Sequence, residues 1–260
     1  MSVTTSEEAP DPARRFGGVR RLYGDDVARR FEAAHVVVVG IGGVGSWAAE
    51  ALARSAIGKI TLIDLDMVAE SNVNRQIHAL DGVFGRAKTD VMAERLRAIN
   101  PACRIATIED FVTPENVAAL LGGDFDLVID ATDQVRAKAA MIAWCVENEI
   151  PVVTVGGAGG RTDPARIVVN DLARTAQDPL LAKTRAALRR EHGFPREAKF
   201  GVTAVYSTEP VRYPERIGCA SDAPLAGLNC AGYGSSVCVS ATFGFFAAGV
   251  ALGQIAQAGG

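Results

Sequence analysis

The chain has 260 residues, with 27 lysines and arginines against 30 aspartates and glutamates and a formal net charge of −3. This length suits one large α/β domain, or one domain with an appendage. The charge excludes bulk non-specific binding to polyanions but leaves room for a local basic patch. The five cysteines form no C-x-x-C pair, which argues against a structural zinc site and suits a reducing, cytoplasmic location.

Residues 1–13 are polar and acidic and lack the apolar core of a signal peptide, so we expect a disordered lead-in. Residues 14–31 predict a short helical or loop arm before the first strand. The arm carries several arginines, which either form a solvated face or include one that reaches an anionic site, on the same chain or on a partner subunit. They are Arg14, Arg15, Arg20 and Arg21.

Residues 36–66 predict a nucleotide-binding βαβ unit. The apolar runs 36–39 and 60–63 are typical of buried parallel strands, and the small residues of 44–55 suit a helix packed close to a sheet. Between them stands a G-x-G-x-x-G turn with one extra glycine, made by Gly40, Gly42, Gly43 and Gly45. Such a turn lets the backbone approach a phosphate at a helix N-terminus, and an acid after the second strand can bind ribose. Two acids follow that strand, Asp64 and Asp66.

Strands and helices continue to alternate as far as residue 160. A polar segment at 71–76 precedes a predicted helix at 83–98, which has Arg86 and Lys88 at its start, where cations oppose the helix dipole. Strands are predicted at 104–108, 125–129 and 151–155, and helices at 135–149 and from Pro114, capped by Thr113. The alternation predicts a doubly wound, mostly parallel, Rossmann-like sheet.

The pattern changes after residue 160. Strands at 166–170 and 202–207 lack βαβ spacing, which predicts a C-terminal extension of antiparallel strands. Between them, residues 174–199 carry seven basic side chains against three acidic ones, and form either an ordinary charged helix or a patch that follows nucleic-acid phosphates. Residues 237–252 form an uncharged stretch too short for a stable membrane span, and predict a hydrophobic helix in the core or a dimer interface, with membrane contact as the alternative left open.

These elements divide the chain into a lead-in at 1–13, a nucleotide-binding domain with its arm at 14–170, and a C-terminal substrate or dimerisation region at 171–260 on the same sheet. Cations and acids gather at the predicted strand ends of the domain. Paired cations and metal-binding carboxylates suit nucleotidyl transfer from ATP better than hydride transfer from NAD. The set comprises Asp64, Asp66, Arg75, Lys88, Asp130 and Asp133.

Five motifs in order resemble the ubiquitin-activating-enzyme-like adenylating superfamily, which includes the activators of sulfur-carrier proteins. They are GIGGVGS at 40–46, DLD at 64–66, NVNRQ at 72–76, GRAK at 85–88 and DATD at 130–133. Further stretches extend the likeness to nearly the whole chain and are similar to the tRNA threonylcarbamoyladenosine dehydratase branch. These are RFGGVRRLYG, NRQIHAL, VTVGGAGGRTDP, QDPLLAKTR and VYSTEPV.

The resemblance implies roles for individual positions. The glycine turn would hold the ATP phosphates, Asp64 and Asp66 would meet the ribose, and Asn74, Arg75 and Lys88 would bind the triphosphate. Asp133 would hold Mg²⁺ with support from Asp130. Arg21, with Arg15 as a weaker candidate, would reach the site of the partner subunit in a homodimer. His78 receives no role.

The activity implied is ATP-dependent cyclisation of threonylcarbamoyladenosine at position 37 of tRNA, a ligase-type reaction through an acyl-adenylate that releases AMP and pyrophosphate. The implied partners are tRNA, held by residues 174–199, a second copy of the chain, and a protein of a cysteine-desulfurase system. Three cysteines follow the nucleotide domain, where a nucleophile could sit, although free cysteines are usually buried apolar residues. They are Cys219, Cys230 and Cys238.

Three alternatives stay open. The first is adenylation of the C-terminus of a sulfur-carrier protein, against which the missing zinc pairs and the basic segment count. The second is a nucleotide-sensing or scaffold protein without turnover. The third is an NAD-dependent dehydrogenase, which a binding preference for NAD over ATP would reveal.

Overall fold

The computed structural model describes residues 10–213 and 233–258, and its centre is one seven-stranded sheet in the order β3-β2-β1-β4-β5-β7-β6. All neighbouring strands are parallel except β6, which is antiparallel to β7. The strands are β1 (His35–Val39), β2 (Lys59–Ile63), β3 (Arg104–Ile108), β4 (Leu127–Asp130), β5 (Val152–Val155), β6 (Ile167–Asp171) and β7 (Thr203–Ser207).

Helices cover both faces of the sheet, as the near-continuous apolar strands require. One face packs under α3, α4 and α8, with α2 at its edge, and the other under α5, α6 and α7. The helices are α1 (Pro12–Tyr23), α2 (Asp25–Ala33), α3 (Gly45–Arg54), α4 (Lys88–Ile99), α5 (Val117–Leu121), α6 (Val135–Glu147), α7 (Pro179–Glu191) and α8 (Val237–Gln257).

The strand order reverses between β1 and β4. From β1 the chain adds β2 and β3 on one side, then returns to place β4 and β5 on the other. Ligands of open α/β sheets bind at such a switch point, in the crevice outside the carboxyl ends of the strands. The predicted doubly wound, mostly parallel sheet is therefore confirmed, and a ligand site is expected at the residues that follow β1 and β4.

The C-terminal region completes the sheet instead of forming a separate layer. Strand β7 is parallel to β5, so β6 alone supplies the antiparallel edge. Helix α8 packs mainly on α3, and its buried residues belong to the same apolar cluster as β1. In the described part of the chain α8 is the one helix long and apolar enough to cross a membrane, and 56% of its apolar window is buried in the fold.

Several predicted boundaries need correction. Pro12 and Ala13, expected in the disordered lead-in, already belong to α1, because Asp11 caps that helix with bonds to the amides of Ala13 and Arg14. The 170/171 domain boundary falls inside β6. Helix α4 begins at residue 88, not 83, and the helix predicted from residue 114 begins at residue 117 after a turn.

Candidate functional site

A cavity opens at the switch point, along the carboxyl ends of β1, β4 and β5. Each of these strands is followed by a segment that forms part of the cavity wall, and the N-terminus of α7 closes the side beyond β5. The lining includes Gly42, Gly43, Val44, Arg75, Ala131, Thr132, Asp133, Gly156, Gly157, Ala158, Gly159, Arg161, Asp178, Pro179, Leu180, Tyr233, Ser235 and Ser240.

The glycine turn has the shape expected of a phosphate loop. Gly40 has a φ of 86°, which favours glycine, and a Cβ on Gly45 would lie 1.8 Å from the Gly40 carbonyl oxygen. The amides of Gly42, Gly43 and Val44 have no hydrogen-bond partner among the described residues. They stand at the start of α3, where free amides and the helix dipole together favour an anion.

The two acids after β2 have different roles. Asp64 is 8% exposed; its Oδ2 accepts a bond of 2.6 Å from the amide of Ile41, and its Oδ1 one of 2.8 Å from the amide of Asp66. Burial raises the pKa of Asp64. Its carboxylate therefore holds the glycine turn against β2. The side chain of Asp66 is 54% exposed, and the ribose contact expected of both acids stays a prediction.

Lys88 is joined to the turn through these acids. Its Nζ lies 2.7 Å from Asp66 Oδ2, although the lysine is only 5% exposed. It is also the first residue of α4, where its charge opposes the helix dipole. A buried cation at this position needs negative charge beside it, and an exposed carboxylate partner leaves room for a second anion.

Arg75 lies directly over the glycine turn and lines the cavity. Its Cγ is 3.1 Å from where a Cβ of Gly43 would stand, and its guanidinium donates to Ser71 O and Asn74 Oδ1, both at 2.9 Å. Burial lowers the pKa of Arg75. The Asn74 amide donates to Ser235 Oγ at 2.9 Å. Asn74 therefore orients Arg75 and does not itself line the cavity.

Of the two aspartates after β4, only Asp133 faces the cavity, where no hydrogen-bond partner is recorded for its side chain among the described residues. Asp130 is fully buried and paired with Lys138 Nζ at 2.7 Å. It accepts three further bonds, two from Thr132 and one from Thr154 Oγ1. Asp130 is therefore part of an internal ion pair, and the supporting metal role expected of it stays a prediction.

The wall beyond β5 was not predicted as part of the site. Arg161 is fully buried and donates to Asp178 Oδ2 at 3.2 Å, to Gln177 O at 2.9 Å and to Glu209 O at 3.2 Å. Asp178 caps α7 and also accepts from the Gly157 amide at 3.0 Å. The sequence signal was present, since a glycine run at the end of a strand occupies the same edge as the glycine turn.

The arm arginines lie away from this cavity within one chain. Arg15 donates to the carbonyls of Ala98 and Ile99, at the far end of α4 from Lys88. Arg21 is exposed on α1 and does not line the cavity. Its predicted contact with the site of a partner subunit stays a prediction.

Neither buried cysteine is suited to nucleophilic chemistry. Burial raises the pKa of Cys103 to about 11 and that of Cys145 to about 12, so neither forms an accessible thiolate at neutral pH. Cys238 is exposed at the start of α8, and Cys219 and Cys230 lie outside the described residues. Among the described residues no cluster of three or more histidines, cysteines or acids could hold a metal ion.

Comparison with known proteins places the chain in a family. The profile of the ThiF family matches residues 17–254. The chain belongs to the ThiF family. It is 54% identical to the tRNA threonylcarbamoyladenosine dehydratase of Escherichia coli (strain K12), covering 97% of this chain and 96% of that protein. Identity to the Haemophilus influenzae protein of the same name is 48%, with 95% of each chain covered.

Solved structures agree with this placement. The E. coli dehydratase in complex with ATP matches with a TM-score of 0.85 at 52% identity, over 94% of each chain, and its complex with AMP matches equally well. The likeness to the superfamily and to its dehydratase branch, drawn from short motifs, is thereby confirmed.

Proposed function

We propose that this ThiF-family protein is an ATP-dependent, ligase-type enzyme that dehydrates threonylcarbamoyladenosine at position 37 of tRNA. One observation carries the proposal: full-length similarity to dehydratases accompanies a cavity lined by the glycine turn, Arg75 and Asp133, with the Lys88–Asp66 pair after the neighbouring strand β2. A relative's ability to bind ATP supports ATP as the nucleotide here. A cytoplasmic location follows from the substrate.

In the first step the threonine carboxylate attacks the α-phosphate, and pyrophosphate leaves. The amides of the glycine turn bind the phosphates, and Asp66 meets the ribose. Arg75 and Lys88 stabilise the negative charge that builds up on the α-phosphate and on the leaving group. Preorganised donors of this kind act without reorganisation when the charge develops.

The residues fit a magnesium ion. Mg²⁺ usually binds through one or two carboxylates together with substrate phosphates, and Asp133 offers one half-buried carboxylate at the cavity. When bound, the ion would neutralise charge on the phosphates. Asp133 would hold it and keep the triphosphate aligned with the turn.

In the second step a carbamoyl nitrogen or oxygen attacks the activated carbonyl, closes the ring and expels AMP. Hydroxide is a poor leaving group, whereas AMP is a good one. Because the attack is intramolecular, proximity supplies much of the rate, and no enzyme nucleophile is required. The high pKa values of Cys103 and Cys145 accord with this scheme.

Helix α7 connects the cavity to a basic surface. Pro179 and Leu180 line the cavity, and Lys183, one helical turn further on, is exposed. In the 174–199 segment Arg185, Arg189 and Arg190 have partners within the protein. Four other cations are exposed and have no recorded side-chain partner in the described chain: Arg174, Lys183, Arg196 and Lys199. They would hold tRNA phosphates beside the site.

A homodimer would complete the site with Arg21 of the partner copy. Residues 65–84, which lead from β2 to α4, expose large apolar side chains that a second copy could cover. They are Leu65, Met67, Val73, Leu80 and Phe84. A protein of a cysteine-desulfurase system remains a further proposed partner.

The test combines ATP, Mg²⁺ and threonylcarbamoylated tRNA with the full chain. The tRNA nucleoside is expected to become lighter by one water, with one AMP released per ring closed, and chelation of Mg²⁺ is expected to stop both. Mass spectrometry of nuclease digests and chromatography of the nucleotides measure the outcome.

The matched control is tRNA that lacks the threonylcarbamoyl group, which should release no AMP. Pyrophosphate exchange that responds to the C-terminus of a sulfur-carrier protein but not to tRNA would favour the alternative reaction. An unchanged nucleoside mass with protein that binds ATP would contradict the proposal.

A further inference from the structure

The cavity runs along the sheet edge from the glycine turn after β1 to the segment after β5 and the start of α7. In the proposed function the acids after β2 meet the ribose, the turn after β1 holds the phosphates, and Asp133 follows β4. The next strand in space is β5, whose glycine run forms the far end of the cavity. Because the order along the edge is β2, β1, β4 and β5, this end lies on the side of the glycine turn that is away from the acids proposed for the ribose.

This far end offers two free backbone donors. The amides of Ala158 and Gly159 have no hydrogen-bond partner in the described chain, whereas those of Gly156, Gly157 and Gly160 are all bonded. Both residues line the cavity. The glycine turn after β1 also presents adjacent free amides. The segment after β5 therefore offers the same kind of anion-binding backbone at the opposite end of the cavity.

A buried ion pair fixes the position of these donors. A Cβ on Gly156 would lie 2.2 Å from Asp178 Oδ2, so the loop and this carboxylate are in direct contact. Arg161 donates to the same carboxylate oxygen, Asp178 Oδ2, and also to the carbonyl oxygen of Gln177, a non-glycine residue with a φ of 56°. Such a backbone conformation persists only where its surroundings enforce it.

Resting on the proposed function, we propose that Ala158 and Gly159 form the subsite for the acyl group of the substrate, with Arg161 and Asp178 as its positioning residues. Their amides bind the carboxylate oxygen that is not attacking phosphorus. As ring closure begins, the same oxygen gains the electron pair of the carbonyl bond, and the amides stabilise it.

The steps balance without a further reactant. The oxygen–phosphorus bond to the substrate forms while the bond from the α-phosphorus to the pyrophosphate oxygen breaks. The carbamoyl nitrogen or oxygen then bonds to the acyl carbon, a proton leaves the carbamoyl N–H for solvent, and the acyl–oxygen bond to AMP breaks. The acyl oxygen held by Ala158 and Gly159 stays on the product.

The experiment compares the affinity for AMP with that for a non-hydrolysable acyl-sulfamoyl adenosine carrying N-carbamoylthreonine, measured by calorimetry. Two hydrogen bonds from the amides to the acyl oxygen predict that the acyl group improves the affinity of the wild-type protein at least about tenfold. In Arg161→Lys the charge persists, but the fork that reaches Gln177 and Glu209 is lost. We expect this gain to disappear while the Kd for AMP changes less than about twofold.

Arg95→Lys is the matched control, since Arg95 also forks onto a buried carboxylate, that of Glu50, away from the cavity. It should keep the full gain. If Arg161→Lys does not fold, Asp178→Asn replaces it, because asparagine can still cap α7. The same loss of the acyl-dependent gain in affinity is expected. Equal losses for AMP and the acyl analogue, or no gain in the wild-type protein, would overturn the subsite. The mass change of tRNA reports on the proposed function separately.

Discussion

Two buried lysines, Lys88 and Lys138, each pair with an aspartate, but the two aspartates differ in their exposure to solvent. Each places its Nζ 2.7 Å from an aspartate. The partner of Lys138 is fully buried, whereas Asp66, the partner of Lys88, is 54% exposed. Lys138 also donates to Thr154 Oγ1 and to the carbonyl of Val155, at 3.2 and 3.0 Å.

The difference separates a structural pair from one that can change partners. The carboxylate beside Lys138 already accepts four hydrogen bonds, so no ligand can compete for it without breaking the fold. Asp66 can turn towards water or ribose, and Lys88 can then pair with a phosphate. A buried cation thus indicates a binding site only when its counter-ion is accessible.

The largest effect is expected from Lys138→Met. Removing one member of a buried pair leaves an uncompensated charge, which costs about 3–5 kcal/mol in the free energy of unfolding. Urea denaturation followed by circular dichroism measures the loss. The double variant Lys138→Met with Asp130→Asn should recover most of it, because the neutral amide no longer needs a cation. A double variant as unstable as the single one would show that packing, not charge, dominates at this position.

Lys88→Met should show the opposite pattern. The exposed Asp66 is rehydrated when its partner is lost, so we expect the free energy of unfolding to change by less than about 1 kcal/mol. Loss of one preorganised charge at the α-phosphate should slow tRNA-dependent pyrophosphate exchange by about 10²–10³-fold. The exchange rate and the urea midpoint of the variant, each compared with the wild-type value, measure the two effects separately. A large loss of stability with normal exchange would place Lys88 in the same class as Lys138.

The site around Lys88 could be predicted from the sequence because the motifs that form it lie close together in the chain. The glycine turn, the strands at β1 and β2 and the acids after β2 follow one another within 31 residues, and parallel strands bring their ends to one edge. The same reasoning placed Arg75 and Asp133 at the cavity. It did not foresee the bond from the Ile41 amide to the Asp64 carboxylate, because that bond depends on the exact turn geometry.

The Lys138 and Arg161 pairs could not be predicted in this way. Lys138 lies in a helix, where a lysine is expected to be a solvated cation, because the neighbouring sequence does not show that its side chain meets β4 and β5. Arg161 and Asp178 are 17 residues apart and meet only after β5 and α7 have packed. The antiparallel edge was predicted, and both strand positions within one residue, but the register of β6 against β7 depends on long-range pairing.

The smallest effect concerns His78, beside the Lys88 pair. Its ring is 1% exposed with neither nitrogen hydrogen-bonded, and burial, aided by Lys88 and Arg95, lowers its pKa to about 4. As the pH falls, His78 is therefore protonated near pH 6.5 in the unfolded chain but only near pH 4 in the folded chain. Stability should fall as the pH drops between these values, by up to about 1.4 kcal/mol per pH unit.

His78→Gln removes this titration, so its unfolding free energy should fall less steeply than that of the wild-type protein from pH 6.5 to pH 4. The buried His35 is present in both proteins and cancels in the difference. His192→Gln, which changes an exposed histidine after α7, is the matched control and should follow the wild-type curve. Parallel curves for His78→Gln and wild type would mean that His78 gains a polar partner, such as internal water, that keeps its protonated form stable beside Lys88.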